Sequence, residues 1–296
     1  MLKRTLFFSN PYHLSVKDRQ LLATPKPEGE TRTVPIEDIG FIIIDHCQIS
    51  LTPTLLEQMV YYNVAVVFCD SRHHPQSMLL NLDGNHLQNE HFRNQIAISE
   101  PLKKNLWKQV IEYKIDNQAA LLKKLDKNYG AVEAFGKQVK SGDVDNREGA
   151  AARAYWRQLM GSDFIRERKG RWPNAAFNYG YIVLRAAVAR ALMGSGLLPT
   201  LGIHHHSRYN AYCLADDIME PYRPFVDALV YNMYISYPDA NELNTELKAE
   251  LLQIMTIDVM FDKVNRPLMV GLSQTTASLA RCFGGDARKI EYPLLR

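Results

Sequence analysis

The fold of the first part of the chain is decided by residues 40–68, GFIIIDHCQISLTPTLLEQMVYYNVAVVF. This stretch begins with Gly40–Ile44 and ends with Val64–Phe68, two apolar runs whose length suits buried strands. Between them, Thr52 precedes Pro53, and leucine and methionine then recur at helical spacing. An N-cap residue followed by proline is typical of a helix start. The stretch therefore predicts a strand, a helix and a second strand in succession.

Further short apolar runs flank this stretch and are bounded by proline, glycine, asparagine or aspartate, as strands usually are. They are Leu6–Phe8, the segment around Leu21 and Leu22, and Met78–Leu80. Residues 82–86 have the composition of a turn, and from about Phe92 the pattern becomes almost entirely helical. The clearest helical patterns cover residues 101–125, 174–193, 225–236 and 243–256. We therefore predict an α+β fold, with a small β-rich domain over residues 1–86 and a larger all-α-helical domain over residues 87–296.

Composition excludes several classes of protein. Apolar residues make up 46% and charged residues 23% of the chain, which is typical of globular proteins and not of disordered ones. The N-terminal segment lacks the long apolar run of a signal peptide, and no apolar run is long enough to span a bilayer. Four cysteines, none close to another in sequence, predict reduced thiols. We expect a cytoplasmic protein with no membrane association.

Positive charge is concentrated in the middle of the chain. Residues 1–86 carry 7 Lys/Arg against 9 Asp/Glu, whereas residues 145–225 carry 11 against 7. Such a basic region is either a solvated face or a surface that binds phosphate groups. The same region contains three segments that could carry chemistry.

The first segment, residues 141–156, starts an alanine-rich helix. Glu148, Ala152 and Tyr155 share one face, because helical residues three and four apart are neighbours. Small residues beside Glu148 leave room for a ligand to approach its carboxylate. The alternative is structural: with Asp145 as the N-cap, Glu148 completes a capping box.

The second segment, residues 198–210, contains three consecutive histidines. Side chains alternate along an extended chain, so either His204 and His206 or His205 alone points inward. A solvated loop is the alternative. The partners that a zinc site needs at ligand spacing are absent.

The third segment, residues 214–227, is acidic. In a helix, Asp217 and Glu220 share a face, and carboxylates so placed repel each other unless a cation neutralises them. Acids at a helix N-terminus are the structural alternative. Pro221 and Pro224 predict either a kink or a restart of the helix.

Together the segments supply carboxylates and an imidazole in basic surroundings. Oxygen ligands suit Mg²⁺ or Mn²⁺, and a histidine favours Mn²⁺. Such an ion polarises a phosphoryl oxygen and holds the attacking and leaving oxygens in line. Eight nearby basic residues are candidates for DNA binding, although Arg166–Arg171 could be only a solvated loop. They are Arg147, Arg153, Arg166, Arg168, Lys169, Arg171, Arg208 and Arg223.

An ordered string of motifs resembles a known protein family. It comprises REGAAARAYW (147–156), NAAFNYGY (174–181), GLLPTLGIHH (196–205), LADDIMEPYRP (214–224), RPLM (266–269) and SLAR (278–281). Over nearly its whole length the chain resembles the CRISPR-associated integrase, the universal endonuclease of spacer acquisition, in the form of type II systems. The resemblance implies that Glu148, His205 and Glu220 are catalytic metal ligands, with Asp217 as a supporting acid that also binds the metal. His204 and His206 receive no role from it.

The resemblance also implies partners. The β-rich domain would form a homodimer, and a dimer of a small companion Cas protein would bridge two such homodimers. The assembly would bind double-stranded DNA, namely a short prespacer duplex and the CRISPR repeat. The type II effector nuclease and an accessory DNA-end-binding ring protein are further expected partners.

We therefore expect a metal-dependent DNA endonuclease and integrase that inserts short foreign duplexes as new spacers by 3′-hydroxyl transesterification. One alternative is a general repair nuclease for branched DNA, which differs only in substrate. The other is a non-catalytic scaffold that binds DNA ends, which explains the basic helices equally well but leaves the Glu/His/Glu set without a role. A covalent protein–DNA intermediate would need an activated nucleophile, and nothing in the sequence distinguishes one among 15 tyrosines.

Overall fold

The computed structural model describes residues 3–73, 75–81, 83–167 and 170–295. The chain divides into two compact units, residues 1–84 and 85–296. Two of the predicted DNA-binding residues, Arg168 and Lys169, lie outside the described residues.

The first unit contains two four-stranded sheets and a helix in its described residues. One sheet has the order β1-β5-β7-β8 and the other the order β4-β3-β2-β6. The elements are β1 (Arg4–Phe8), β2 (Tyr12–Lys17), β3 (Gln20–Pro25), β4 (Arg32–Pro35), β5 (Ile39–Ile44), β6 (Ser50–Leu51), α1 (Pro53–Tyr61), β7 (Ala65–Cys69) and β8 (Pro75–Leu79).

The predicted strand, helix and strand are confirmed as β5, α1 and β7. The two strands pair in parallel, with Phe41 opposite Ala65. The side chain of Thr52 accepts a hydrogen bond from the backbone N–H of Leu55, as expected of an N-cap before Pro53. All residues of β5 are buried, which is usual for a central parallel strand. One apolar core joins both sheets to α1.

The second unit is helical apart from a two-stranded antiparallel hairpin, so the predicted order of a β-rich part followed by a helical part is confirmed. The helices are α2 (Gln88–Ala97), α3 (Glu100–Lys124), α4 (Gly130–Gly136), α5 (Arg147–Met160), α6 (Asn174–Gly194), α7 (Cys213–Met219), α8 (Arg223–Ser236), α9 (Thr245–Leu251) and α10 (Leu268–Gly284). The hairpin strands are β9 (Asp258–Phe261) and β10 (Val264–Pro267).

Helix α3 is the scaffold on which the other site elements rest. It packs against α4, α5, α8 and the turn that precedes α8. Its buried stripe includes Trp107, Val110, Ile111 and Lys114, which recur at the spacing of one helix face. Lys114 is thus a cation placed among mainly apolar buried side chains.

Pro221 lies in a single 3₁₀ turn, Glu220–Tyr222, between α7 and α8. The helix therefore restarts after the turn, which answers the question that the sequence left open between a kink and a restart. Proline lacks a backbone N–H and disfavours continuation of the helix, so the turn fixes Glu220 at the junction.

Within the ranges described above, no helix combines the length and the apolar character that a bilayer crossing requires.

Candidate metal centre

Two of the predicted ligands meet at a buried lysine. Nζ of Lys114 lies 2.5 Å from Oε1 of Glu148 and 2.5 Å from Oε2 of Glu220. The lysine side chain is only 9% exposed. Burial opposes its charged form, but Glu220 and Glu148 outweigh that effect and raise the pKa of Lys114. The structure thus joins the start of α5 to the turn before α8 through one ammonium group on α3.

Glu148 is positioned by the N-terminus of α5. The N-cap is Asn146, in the left-handed conformation, and its side chain accepts from the backbone N–H of Gly149. The carboxylate of Asp143 accepts from the N–H groups of Arg147 and Glu148. The capping-box alternative, with Asp145 as N-cap, is therefore wrong. Since Asn146 and Asp143 already satisfy the free N–H groups, the Glu148 side chain is left for other partners.

Glu220 is a buried acid whose charge is balanced by two cations. Its Oε1 lies 3.0 Å from Nη2 of Arg223. Burial alone would raise the pKa of Glu220, but Arg223 and Lys114 outweigh it and the pKa lies below its usual value. Its Oε2 accepts no hydrogen bond of good geometry from any described residue, although Lys114 is in contact.

Asp217 organises the histidine loop. One of its oxygens accepts from the backbone N–H groups of Ile203 and His204, at 2.7 and 2.9 Å. The other accepts from the N–H of His205 and contacts Nδ1 of the same residue, at 3.1 and 2.5 Å. Asp217 is fully buried, and these four contacts use the lone pairs of both oxygens. In the structure Asp217 holds the histidine loop, and its role as a metal ligand stays a prediction.

His205 carries the imidazole that Asp217 orients. The hydrogen bond to Asp217 outweighs burial and raises the pKa of His205. With Nδ1 donating to Asp217, Nε2 presents its lone pair away from that carboxylate, as in histidines that bind metals. Glu220 also contributes to the raised pKa through its charge. The charge of the imidazole is therefore favoured by Glu220 as well as by Asp217.

The other two histidines have separate surroundings. The ring of His204 stacks on the buried Trp107 with centroids 4.0 Å apart and planes 1° from parallel, and Trp107 also meets His205 edge-on at 5.8 Å. Burial lowers the pKa of His204. His206 contacts the backbone oxygen of His204 through Nδ1. The three histidines thus do not simply alternate between inside and outside.

The three predicted ligands do not form one cluster. Among the described residues, no three His, Cys, Asp or Glu side chains lie close enough together to hold a metal ion as they stand. The structure brings Glu148 and Glu220 to Lys114, and it brings His205 to Asp217. The donor atoms nevertheless suit a divalent ion, because one carboxylate oxygen of Glu148 and one of Glu220 lie within 2.5 Å of the same atom, Nζ of Lys114.

The predicted DNA-binding residues fall into two groups. Arg153, Arg171 and Arg208 are exposed, and Arg208 stacks on the exposed ring of Tyr209. The remaining ones that the structure describes have protein partners: Arg147 lies 3.9 Å from Asp145, and Arg223 pairs with Glu220. Arg166 donates to Asn174 and Asn178 and stacks on Trp156, Phe177 and Tyr181, so it also ties its loop to α6.

A cavity of about 270 Å³ lies beside Lys114 and Arg223, the two cations that contact the carboxylate pair. Lys114, Arg166 and Arg223 line it, as do Glu167 and Asp227. Asp227 accepts hydrogen bonds from the hydroxyls of Tyr155 and Tyr181, and burial raises its pKa to about 6.

Sequence reasoning missed Lys114, Trp107 and Asp227. Lys114 could have been found, because it lies seven residues after Trp107 on the apolar stripe of α3, where a lysine needs a partner. Asp227 carries no such signal. Its importance comes from two tyrosines that lie 72 and 46 residues away in sequence.

The protein thus has a β-rich unit followed by a helical unit, and the helical unit bears a carboxylate pair and a histidine that an acid orients. The family model described as "CRISPR associated protein Cas1" matches residues 6–237. The chain is 34% identical to the CRISPR-associated endonuclease Cas1 of Neisseria meningitidis serogroup C (strain 8013), over 99% of this chain and 96% of the relative. The chain belongs to the Cas1 family, which confirms the resemblance found in the sequence.

Solved structures share the fold. A casposase bound to integration product has a TM-score of 0.81 at 20% identity and covers 98% of this chain and 93% of its own. A chain of a Cas6-RT-Cas1–Cas2 complex has a TM-score of 0.75 at 16% identity and covers 99% of this chain and 36% of its own.

Proposed function

We propose that this Cas1-family protein is a metal-dependent DNA endonuclease and integrase that inserts short DNA duplexes as new spacers into a CRISPR array. The observation that carries the proposal is the pair of Glu148 and Glu220, held together at Lys114 in the same helical unit as His205, which Asp217 orients. Exposed arginines on α5 and in the loops of the same unit supply sites for phosphate groups.

The residues proposed to hold Mg²⁺ or Mn²⁺ are Glu148, His205 and Glu220. Oε2 of Glu220 and Nε2 of His205 are donor atoms of the right kind, and Glu148 adds a carboxylate that is partly exposed. When bound, such an ion polarises a phosphoryl oxygen and favours ionisation of an attacking hydroxyl. Asp217 is proposed as a positioning residue, because its oxygens are already taken by the histidine loop.

In the proposed reaction, the oxygen of a DNA 3′-hydroxyl forms a bond to a target phosphorus and the bond from that phosphorus to its 3′-oxygen breaks. The attacking hydroxyl loses its proton, and the leaving oxygen gains one. Arg223 places a guanidinium beside Glu220, where it can neutralise charge on the phosphate. Tyr155 and Tyr181 are poor nucleophiles, because burial and Asp227 raise the pKa of both phenols. A covalent intermediate on either of these two tyrosines is therefore disfavoured.

The proposed partners are DNA and other Cas proteins. We propose that residues 1–84 form the homodimer contact and that a Cas2-like dimer joins two homodimers. The same fold occurs in a casposase bound to integration product and in a complex that contains Cas1 and Cas2, which supports this assembly.

The proposal is tested by integration of a short duplex into a supercoiled plasmid carrying the repeat array, with sequencing of the junctions. Separate Glu148→Ala, His205→Ala and Glu220→Ala variants should lose strand joining in Mg²⁺ or Mn²⁺, yet still bind DNA in a gel-shift assay. Glu112→Ala is the matched control, since Glu112 is a half-exposed acid on α3 paired with Lys108. Integration by His205→Ala at the wild-type rate would contradict the site assignment.

The same assay separates the alternatives. Cleavage of branched DNA without joining would favour a repair nuclease. Binding of DNA ends without metal-dependent nicking of any substrate would favour a non-catalytic scaffold. Omission of the companion protein in one arm shows whether this chain needs it.

A further inference from the structure

Lys114 contacts the same carboxylate oxygens that the proposed function assigns to a metal. Its ammonium donates to Oε1 of Glu148 and lies equally close to Oε2 of Glu220. Because each oxygen lies 2.5 Å from Nζ of Lys114, the two oxygens are no further apart than twice 2.5 Å. A divalent ion held by both carboxylates needs this same space, and two cations that close together repel strongly in a buried site.

The charges of the pair are already largely balanced within the protein. Lys114 lies against one oxygen of each acid, and Arg223 lies against the remaining oxygen of Glu220. Two positive groups thus face the two negative ones. A divalent ion must compete with this balance, whereas a protein with the same acids and without Lys114 would attract the ion more strongly.

We propose that Lys114 is a built-in competitor of the divalent ion, which weakens metal binding at the Glu148 and Glu220 pair and leaves the pair when the ion is held. This inference rests on the proposed metal site. If Lys114 only held the two carboxylates in place for the metal, its removal would weaken metal binding; as a competitor, its removal strengthens metal binding.

The structure provides room for the displaced ammonium. Lys114 also lines the cavity of about 270 Å³, whose wall holds the acids Glu167 and Asp227 as well as Arg166 and Arg223. A lysine side chain has four flexible carbons, so Nζ can swing from the carboxylates toward this cavity without movement of α3. The charge then remains near polar partners and is not left in an apolar core.

The test measures Mn²⁺ binding to the full-length protein by electron paramagnetic resonance, which detects free Mn²⁺ directly and does not depend on activity. Lys114→Met removes the charge and keeps an unbranched side chain. It should bind Mn²⁺ about tenfold more tightly than the wild type, or more tightly still, because a like charge has been removed beside the ion. Its melting temperature without metal should fall, because two acids lose their buried partner.

Two further variants control the result. Lys108→Met removes a half-exposed lysine from the same helix and should leave Mn²⁺ affinity unchanged. Lys114→Arg keeps the charge and should bind Mn²⁺ as weakly as the wild type. If Lys114→Met does not fold, as judged by circular dichroism, Lys114→Gln carries the same expectation.

Equal or weaker Mn²⁺ binding by folded Lys114→Met would overturn the inference. If in the same experiment the wild type binds Mn²⁺ and Glu148→Gln does not, the metal site and the proposed function stand, and only the role given to Lys114 is wrong. If the wild type, Lys114→Met and Glu148→Gln all fail to bind Mn²⁺, both the metal site and the inference are wrong.

Discussion

At the residue scale, Asp217 determines where the imidazole of His205 lies. Asp217→Asn replaces one acceptor oxygen with an amide that donates, so the donors of the histidine loop lose acceptors that they need. We expect strand joining and Mn²⁺ affinity to fall about 10- to 100-fold, as is usual when the partner of a metal-binding histidine is lost. DNA binding should persist.

The neighbouring Asp216 provides the matched control. It accepts from Asn210 and lies 3.9 Å from Arg185, whereas the backbone N–H groups beside the histidines donate to Asp217. Asp216→Asn should retain most of the strand-joining rate. Wild-type kinetics for Asp217→Asn would show that the loop keeps its position without this acid.

Asp227 should make stability depend on pH. Its pKa is raised by burial from 3.8 to about 6, so the folded state binds a proton that the unfolded state releases between those values. The stability this proton provides is present below pH 3.8 and is lost as pH rises through 6, by about 3 kcal/mol in total. Asp227→Asn cannot titrate. Its melting temperature relative to the wild type should therefore rise between pH 4 and pH 7.

Thermal unfolding across that pH range, monitored by circular dichroism, measures the difference. Asp239→Asn changes an exposed acid and should give a nearly constant offset from the wild type. A constant offset for Asp227→Asn as well would mean that Asp227 titrates alike in the folded and unfolded states.

At the element scale, the loop that carries the histidines depends on Gly202. A Cβ atom there would lie 2.2 Å from the carbonyl oxygen of His205 and 2.8 Å from Oδ2 of Asp217. Gly202→Ala should force the loop away from Asp217, lower the free energy of unfolding by about 1–3 kcal/mol and abolish strand joining. Urea unfolding and the integration assay measure the two effects.

Gly130→Ala is the control for this change. A Cβ at Gly130 meets only Oδ1 of Asn128, at 3.7 Å, and the position lies at the start of α4. Alanine has a higher helix propensity than glycine, so this variant should be neutral or slightly stabilised. If Gly202→Ala behaves in the same way, the loop has more freedom than its contacts indicate.

The elements that the sequence predicted are those with strong periodic patterns. The β5–α1–β7 unit and α6 follow from apolar spacing and from proline at or next to the helix start. Strands β4 and β10 were missed because RTVP and VNRP are short and partly polar. Their strand character comes from pairing with β3 and β9, which periodicity along one segment does not reveal.

The candidate site was predictable only in part. Motif order singled out Glu148, His205 and Glu220 one by one, whereas Lys114, which contacts both glutamates, comes from α3, which no motif covers. The N-cap of α5 could not be predicted from sequence, because Asp145 and Asn146 are adjacent and both residue types cap helices. The backbone conformation in the structure identifies Asn146 as the N-cap.

At the scale of the whole molecule, DNA affinity should depend on salt through the exposed arginines. A double variant, Arg153→Gln with Arg208→Gln, removes two such charges from the helical unit. If both contact phosphates, the slope of log affinity against log salt should become less negative by about two. Fluorescence anisotropy with a labelled duplex at several NaCl concentrations measures the slope.

The control for this prediction lies in the other unit. Arg72→Gln with Lys17→Gln removes two exposed charges from the first unit and should leave the slope unchanged. An equal change of slope for the two double variants would mean that DNA binding depends on the total positive charge and not on phosphate contacts by Arg153 and Arg208.

The stacking of Trp107 on His204 also makes the centre optically visible. Protonated imidazole quenches the light emission of an indole ring stacked against it, and Trp107 touches His205 edge-on as well. The chain has three tryptophans, so a Trp156→Phe and Trp172→Phe double variant would keep Trp107, next to the histidine loop, as its single tryptophan. The fluorescence intensity of Trp107, followed on the millisecond scale after mixing with DNA, would then report rearrangement of the histidine loop.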